Sequence, residues 1–268
     1  MPKSSLRVLD VVELLAAEQK PLGHAEIAQR LRIPKSSLTG ILGDLLERRY
    51  VVLDADTRRY ALGAQILALS QGYLEPLSLT RVGRPVLTEV IRRVNENSAL
   101  AIRDRDESVV IAQESCSHPL TQTMVIGSRS ALHCTASGKA LLAFLNGPQR
   151  ERLVDRIALP QIARRTITDR DTFRQELRGV IKRGYAVSDE EAIDGVYALA
   201  FPVISGQGVA AALSTAIPVS RLTEALKDDV IAALRAGAAK ISAALGGDPE
   251  AFRANSSSSS NATLEMVK

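Results

Sequence analysis

The chain has 268 residues, 46% of them hydrophobic and 24% charged, and its 34 Lys/Arg outnumber 30 Asp/Glu for a formal charge of +4. Those proportions match an ordinary globular chain of about two domains and exclude collagen-like repetition or disorder throughout. With no Trp and only 3% aromatic residues, the chain lacks the stacking surfaces that binders of single-stranded nucleic acid use, while duplex binding stays open.

Over residues 6–17 apolar side chains recur every three or four positions at Val8, Val12 and Leu15, the spacing of one buried helical face. Lys20-Pro21-Leu22-Gly23 ends that helix. Ile27, Ala28 and Leu31 mark a second short helix and Leu38, Ile41, Leu42 and Leu45 a third, separated by a tight turn at Arg32-Ile33-Pro34. Pro34 suits the first turn of a helix, where its missing N–H has no partner to lose. Residues 50–53 and 58–62 then read as extended runs around the polar Asp54-Ala55-Asp56-Thr57, which predicts a hairpin. Three helices and a hairpin make a winged helix-turn-helix over residues 1–63, whose third helix enters the major groove while the wing follows the DNA backbone.

Burying the leucine stripe of the third helix turns Lys35, Ser36, Thr39, Gly40 and Gly43 outward. Lys35, Arg58 and Arg59 suit phosphate contacts, which give affinity without sequence preference, while Ser36, Ser37 or Thr39 could reach base edges. Residues 1–63 hold ten Lys/Arg against eight Asp/Glu, yet Arg30, Arg32 and Lys35 lie unopposed between Glu26 and Asp44. Modules of this shape also serve assembly alone. A metabolite-binding assembly module without specific DNA binding is therefore the alternative reading.

Arg7-Val8-Leu9-Asp10, Ala25-Glu26-Ile27-Ala28, Ile33-Pro34-Lys35-Ser36-Ser37 and Arg59-Tyr60-Ala61-Leu62-Gly63 are followed by Gly127-Ser128-Arg129 and by longer motifs at 132–143, 183–191 and 198–202. On these motifs the chain resembles the IclR family of bacterial transcriptional regulators, up to about Gly246. The resemblance implies a homo-oligomer, a dimer or dimer of dimers, on double-stranded operator DNA. It also implies a small-molecule effector, a carboxylic acid, that controls operator binding and thereby a catabolic pathway. Departures are visible too: members usually carry Arg, Thr and Gly where this chain has Gly40, Ser37 and Arg49. A bidentate arginine-to-guanine contact is absent at position 40, so the operator should differ from the common family pattern.

Residues 64–74 and 82–94 show helical spacing interrupted near Pro76, predicting a helical linker over 64–95; the resemblance gives it a part in dimerisation. Beyond it, extended runs at 98–104, 108–114, 121–126, 185–188, 197–204 and 209–217 mix with helical patterns at 136–145, 148–157, 170–183 and 222–245. Mixing without regular alternation predicts an α+β fold. The resemblance makes residues 96–247 a GAF-like effector-binding domain, an antiparallel sheet with helices on its faces and a cavity at one side. Residues 248–268 include five consecutive serines and cannot bury enough apolar area to order, which predicts a disordered tail. The longest apolar stretch, 196–204, is about half of a bilayer crossing, and the first residues form no secretory leader. A cytoplasmic protein without a membrane partner is expected.

Carried over by motif, the resemblance places Ala136, Ser137, Asp189 and Ser214 around the effector. Physical chemistry supports the first pair independently, because unpaired amides at a helix start suit a carboxylate; Thr135 is the natural cap there. Ordinary local hydrogen bonding is the competing role for Ser137 and Ser214. For Asp189 it is a solvent-facing acid or cap, since a carboxylate repels an anionic ligand unless it meets a hydroxyl or is protonated. Ala198 and Ala216 replace polar or thiol groups common in the family, suggesting a roomier, more apolar pocket for an aromatic or branched acid. No Gly-x-Ser-x-Gly elbow occurs, and Ser137-Gly138-Lys139 lacks the rest of a phosphate loop, so no catalytic residue and no enzyme activity are expected. Cys116, His118, His133 and Cys134 lack zinc-site spacing, and neither metal nor cofactor is expected. His133 is assigned a structural or pocket-edge role, and the two cysteines, too few for a disulfide framework, are read as small buried hydrophobes.

Overall fold

The computed structural model describes residues 3–18, 20–74, 78–118 and 124–248, and the chain divides into two compact units between Pro76 and Leu77. In the first unit, α1 (Lys3–Glu18), β1 (Leu22–Gly23), α2 (His24–Leu31), α3 (Lys35–Glu47), β2 (Val51–Leu53), β3 (Arg59–Leu62) and α4 (Gln65–Leu74) follow in order. Leu38, Leu42 and Leu45 recur at four and three residues and meet Val11, Leu15 and Ile27 in one core. Each such buried side chain contributes about 1.5–3 kcal/mol. Arg32, at φ 54, turns the chain between α2 and α3, and the Ile33 amide donates back to Ala28 O at 3.0 Å. Pro34 stands just ahead of α3 as its cap residue, outside the first turn in which it was expected.

Lys20-Pro21-Leu22-Gly23 does more than end α1. Leu22 is fully buried, and it and Gly23 pair with Tyr60 and Arg59, so the small antiparallel sheet has the order β1-β3-β2. At the tip of the β2–β3 wing, Asp54 Oδ1 accepts from the amides of Asp56 and Thr57 at 3.0 and 2.7 Å. This side-chain-capped turn brings Arg58 to φ 54.

The second unit contains α5 (Ser78–Val94), β4 (Ser98–Asp104), β5 (Glu107–Glu114), β6 (Arg129–Ala131), α6 (Ala136–Ala143), α7 (Gly147–Arg156), α8 (Arg170–Arg183), β7 (Ala186–Asp189), β8 (Val196–Ser205), β9 (Gly208–Pro218) and α9 (Glu224–Ala244). Its six strands are antiparallel in the order β6-β5-β4-β9-β8-β7, which is the α+β architecture expected. Successive strand residues point to opposite faces. Leu213 therefore packs toward α5 and α9 while its neighbour Ala212 joins Ala200, Leu141, Val154 and Phe173 in the cluster under α6, α7 and α8.

Two expectations are changed here. The division at Pro76 cuts the predicted 64–95 linker: α4 counts with the first unit, whereas α5 commits Leu79, Val86, Leu87 and Val90 to the core of the second. The predicted strand at 121–126 falls partly on residues outside the described set, and residues 124–126 are not a strand. The sheet edge is β6 instead, where Arg129 pairs with Asp104 and, at 2.9 Å, with Glu107. Charges rather than apolar alternation define that short edge. The tail predicted from residue 248 lies, from 249 onward, outside the described residues.

Close backbone approach fixes the start of α6: a Cβ on Gly138 would sit 2.4 Å from Leu132 O and 2.5 Å from its Cα. Gly138→Ala should cost about 2–3 kcal/mol through overpacking. Gly40, on an exposed helix face with nothing within 4 Å of an added Cβ, is the opposite case, and Gly40→Ala should stabilise by up to about 1 kcal/mol. Urea unfolding of both variants measures the two signs; an unchanged midpoint for Gly138→Ala would contradict the packing described.

Candidate DNA-binding face and ligand cavity

On α3 the structure exposes Lys35, Ser36, Ser37, Thr39 and Gly40 together, with Leu38 and Leu42 turned inward. Lys35 has no carboxylate within 4 Å among the described residues, whereas Arg30 is paired with Glu18. Arg58 is exposed at the wing tip. Arg59 departs from its expected place as a free phosphate contact. Its Nη1 donates to Pro21 O at 2.9 Å and lies 3.1 Å from Glu26 Oε2, so the guanidinium braces the wing against the start of α2. Glu26 also accepts from the Gly23 amide at 2.7 Å. That amide, together with Arg59, holds its carboxyl below the usual range. Thr39 is less free than its exposure suggests: its hydroxyl donates to Lys35 O at 2.9 Å and lies 3.1 Å from His24 Nε2. His24 was missed by sequence reasoning, because fifteen residues separate it from Thr39 and only the fold joins them.

The second unit encloses a cavity of about 290 Å³ between the sheet and the start of α6. Ala99, Ala101, Ala198 and Ala216 line it, and strand register sets two of them directly opposite each other, Ala198 against Ala216. Ser214, paired with Ala99, also lines it, and its hydroxyl donates to Ala99 O at 3.3 Å. At the far wall Thr135 caps α6. Its hydroxyl accepts from the Gly138 amide at 3.1 Å, and its carbonyl accepts from Lys139 at 2.9 Å. The amides of Ala136 and Ser137 are left as the first-turn donors without a partner among the described residues. No described residue lining the cavity carries a formal charge.

The chain matches the bacterial transcriptional regulator IclR C-terminal family over residues 71–243 and the IclR helix-turn-helix domain over residues 4–55. The chain belongs to the IclR family. Among curated relatives it is similar to the probable transcriptional regulator SauR of Cupriavidus necator, 31% identical over 82% of this chain and 88% of that protein. Among solved structures it is similar to the IclR protein of Thermotoga maritima, with a TM-score of 0.82 and 23% identity over 92% of this chain and all of that one. An IclR homologue from Microbacterium hydrocarbonoxydans complexed with 4-hydroxybenzoate aligns with a TM-score of 0.78 and 23% identity, over 94% of this chain and 100% of that one. The protein is thus a transcriptional regulator with a helix-turn-helix domain and an effector-binding domain.

Of the six residues that IclR resemblance placed around the effector, Ala136, Ser137, Ala198, Ser214 and Ala216 line the cavity. Asp189 does not. Its carboxylate is half-exposed and pairs with Arg165 at 2.7 Å, and Ser188, cross-strand partner of Ala198, lines the cavity in its place. Adjacent strand residues point apart, so the acid next to an inward serine faces out. His133 is buried outside the cavity lining; its Nε2 donates to Pro160 O at 2.9 Å, its ring meets the Phe173 edge, and burial lowers its pKa. Among the described residues no group of three His, Cys, Asp or Glu side chains is placed to hold a metal.

The IclR chain also buries a lysine that sequence reasoning noticed only as part of a failed phosphate loop. Lys139 is fully buried, with Nζ 2.7 Å from Glu191 Oε1 and 3.2 Å from Glu176 Oε1. A helix as apolar as α6 carrying one lysine is a legible signal of a buried partner. The cysteines divide: Cys134 is buried, Cys116 only half-buried, against the expectation that both are interior. Burial pushes the Cys134 thiol up to about 11, so at pH 8 it is protonated as well as covered. Iodoacetamide at that pH should alkylate the half-buried Cys116 well ahead of the buried, protonated Cys134. Peptide mass mapping checks the order; equal labelling would contradict the burial.

Proposed function

We propose that this IclR-family regulator grips operator duplex through Lys35, Ser36, Ser37, Thr39, Gly40 and Arg58, and that a flat aromatic or branched monocarboxylate in the cavity controls that grip. Phosphate contact falls to Lys35 and Arg58, while Ser36 and Ser37 reach toward base edges. Arg59 acts indirectly, by setting where the wing lies. The cavity carries the ligand reading: backbone amides of Ala136 and Ser137 meet a single carboxylate, and the alanine floor accepts a ring without a second charge. The 4-hydroxybenzoate held by the Microbacterium homologue has this chemistry. Binding without turnover is the corresponding expectation, since none of the lining side chains is an activated nucleophile.

A homodimer or dimer of dimers is part of the same reading. Leu6 and Leu9 on α1 and Leu67 and Leu69 on α4 expose 57% or more of their surface within one unit, an apolar area suited to a second copy. No helix among the described residues is long and apolar enough to cross a membrane, and a regulator of DNA works in the cytoplasm.

Affinity for a duplex fragment from upstream of the protein's own gene should fall log-linearly with salt. Lys35→Ala and Arg58→Ala should each flatten that slope by about one. Slopes equal to wild type would place the DNA face elsewhere, and affinity without salt dependence or sequence preference would favour an assembly module. For the ligand, 4-hydroxybenzoate at about a hundred times its Kd should add about 2.7 kcal/mol, a melting shift of several degrees. Ala216→Phe, which fills the floor, should abolish the shift.

A further inference from the structure

The buried Lys139 cluster lies outside the cavity yet holds part of its wall. Of the two carboxylates that meet Lys139, Glu176 comes from α8 and is shared with Arg183 at 2.7 Å. Glu191 comes from the connection between β7 and β8, and the next two residues, Ala192 and Ile193, line the cavity. Ile193 is at the same time 42% exposed, so the wall there is one side chain thick. The segment is bounded by two left-handed residues, Glu190 at φ 56 and Gly195 at φ 77, and Glu190 Oε2 accepts from the Gly195 amide at 2.8 Å. Exposed ties hold its flanks, with Asp194 accepting from the Arg164 amide at 3.1 Å, Gly195 O accepting from the Val219 amide at 2.8 Å and Glu190 pairing with Arg165 at 3.5 Å. The buried tie beside Ala192 and Ile193 is Glu191: its carbonyl accepts from the Thr166 hydroxyl at 2.6 Å and its carboxylate meets Lys139. The second carboxylate oxygen of Glu191 is buried without a partner, so its charge is answered through Oε1.

We propose that Lys139 and Glu191 are positioning residues for the ligand: their ion pair latches residues 190–195 as the outer wall of the cavity and holds Ile193 over whatever is bound. This rests on the cavity being the effector site. A buried ion pair is a poor source of stability, since apolar side chains of similar volume serve as well, whereas removing one partner strands the other charge. What the pair supplies is location. Lys139 stands on the helix whose first amides line the cavity and Glu191 on the loop that covers it, so one contact sets the gap between wall and helix. Exit of the ligand then requires the latch to open.

Glu191→Gln and Glu176→Gln each take one carboxylate charge from the same lysine, but only Glu191 carries the wall. In the ligand-free protein, Glu191→Gln should speed hydrogen exchange at the amides of Glu190, Gly195 and Val196 by about ten-fold relative to Glu176→Gln. Equal rates in the two variants would overturn the latch. Lys139→Met/Glu191→Met replaces the pair with apolar groups and keeps the fold testable should a single variant unfold; it should exchange fast at the same amides, and wild-type rates there would also overturn the proposal. With 4-hydroxybenzoate as probe, Glu191→Gln should release ligand faster with less change in association. Failure of the wild type to bind that probe counts against the ligand reading alone, because the exchange comparison decides the latch without ligand.

Discussion

The two faces of the β8–β9 pair govern the second unit. Phe201, Leu213 and Val203 face one way, where α5 and α9 lie, while Ala198, Ser214 and Ala216 face the other. Large side chains on one side drive burial against two long helices. Small ones on the other leave space where α6 begins. The cavity is the volume left where packing is withheld, and its polarity comes from short hydroxyl side chains such as Ser108, Ser188 and Ser214 beside the backbone at the start of α6. A substitution that moved the pairing by one residue would exchange the two faces completely.

In the first unit the corresponding constraint is the inward stripe of Leu38, Leu42 and Leu45, which orients everything else on α3. The wing is placed by a separate tie, Arg59 to Glu26 and Pro21 O, that spans the helix pair and the sheet. Two arginines adjacent in sequence have therefore divided their work. Arg58, forced left-handed at the turn, is presented outward, and Arg59 is turned back into the structure. Neither role follows from charge, which the two residues share.

Local signals carried most of the architecture in the sequence. Helical periodicity located α3 and α9, extended apolar runs located β4, β8 and β9, and Thr135 announced itself as a cap. Where a feature depended on distant partners, the chain was silent. Leu22 reads as the end of a helix until Tyr60 is seen beside it, and β6 has three residues whose pairing is held by charges. Resemblance brought five of six cavity residues together but misjudged Asp189, although period two along β7 with Ala186 buried argues that Ser188 is inward. Lys139 was legible in principle, being the single charge in an otherwise apolar helix, but its partners lie thirty-seven and fifty-two residues away.

The contact between Gly138 and the Leu132 backbone bears on how tolerant such a receptor can be. A helix pressed this hard against the preceding segment has no slack along its approach to the sheet, since well-packed interiors do not compress gradually. Bulky and slim compounds cannot both be suited by sliding α6. Adaptation has to come from the segments around it, and on the proposed ligand reading the compounds recognised share one spacing between their acid group and their ring or branch. On that reading, narrow chemical taste is a property of the scaffold itself, set before any single side chain in the cavity is chosen.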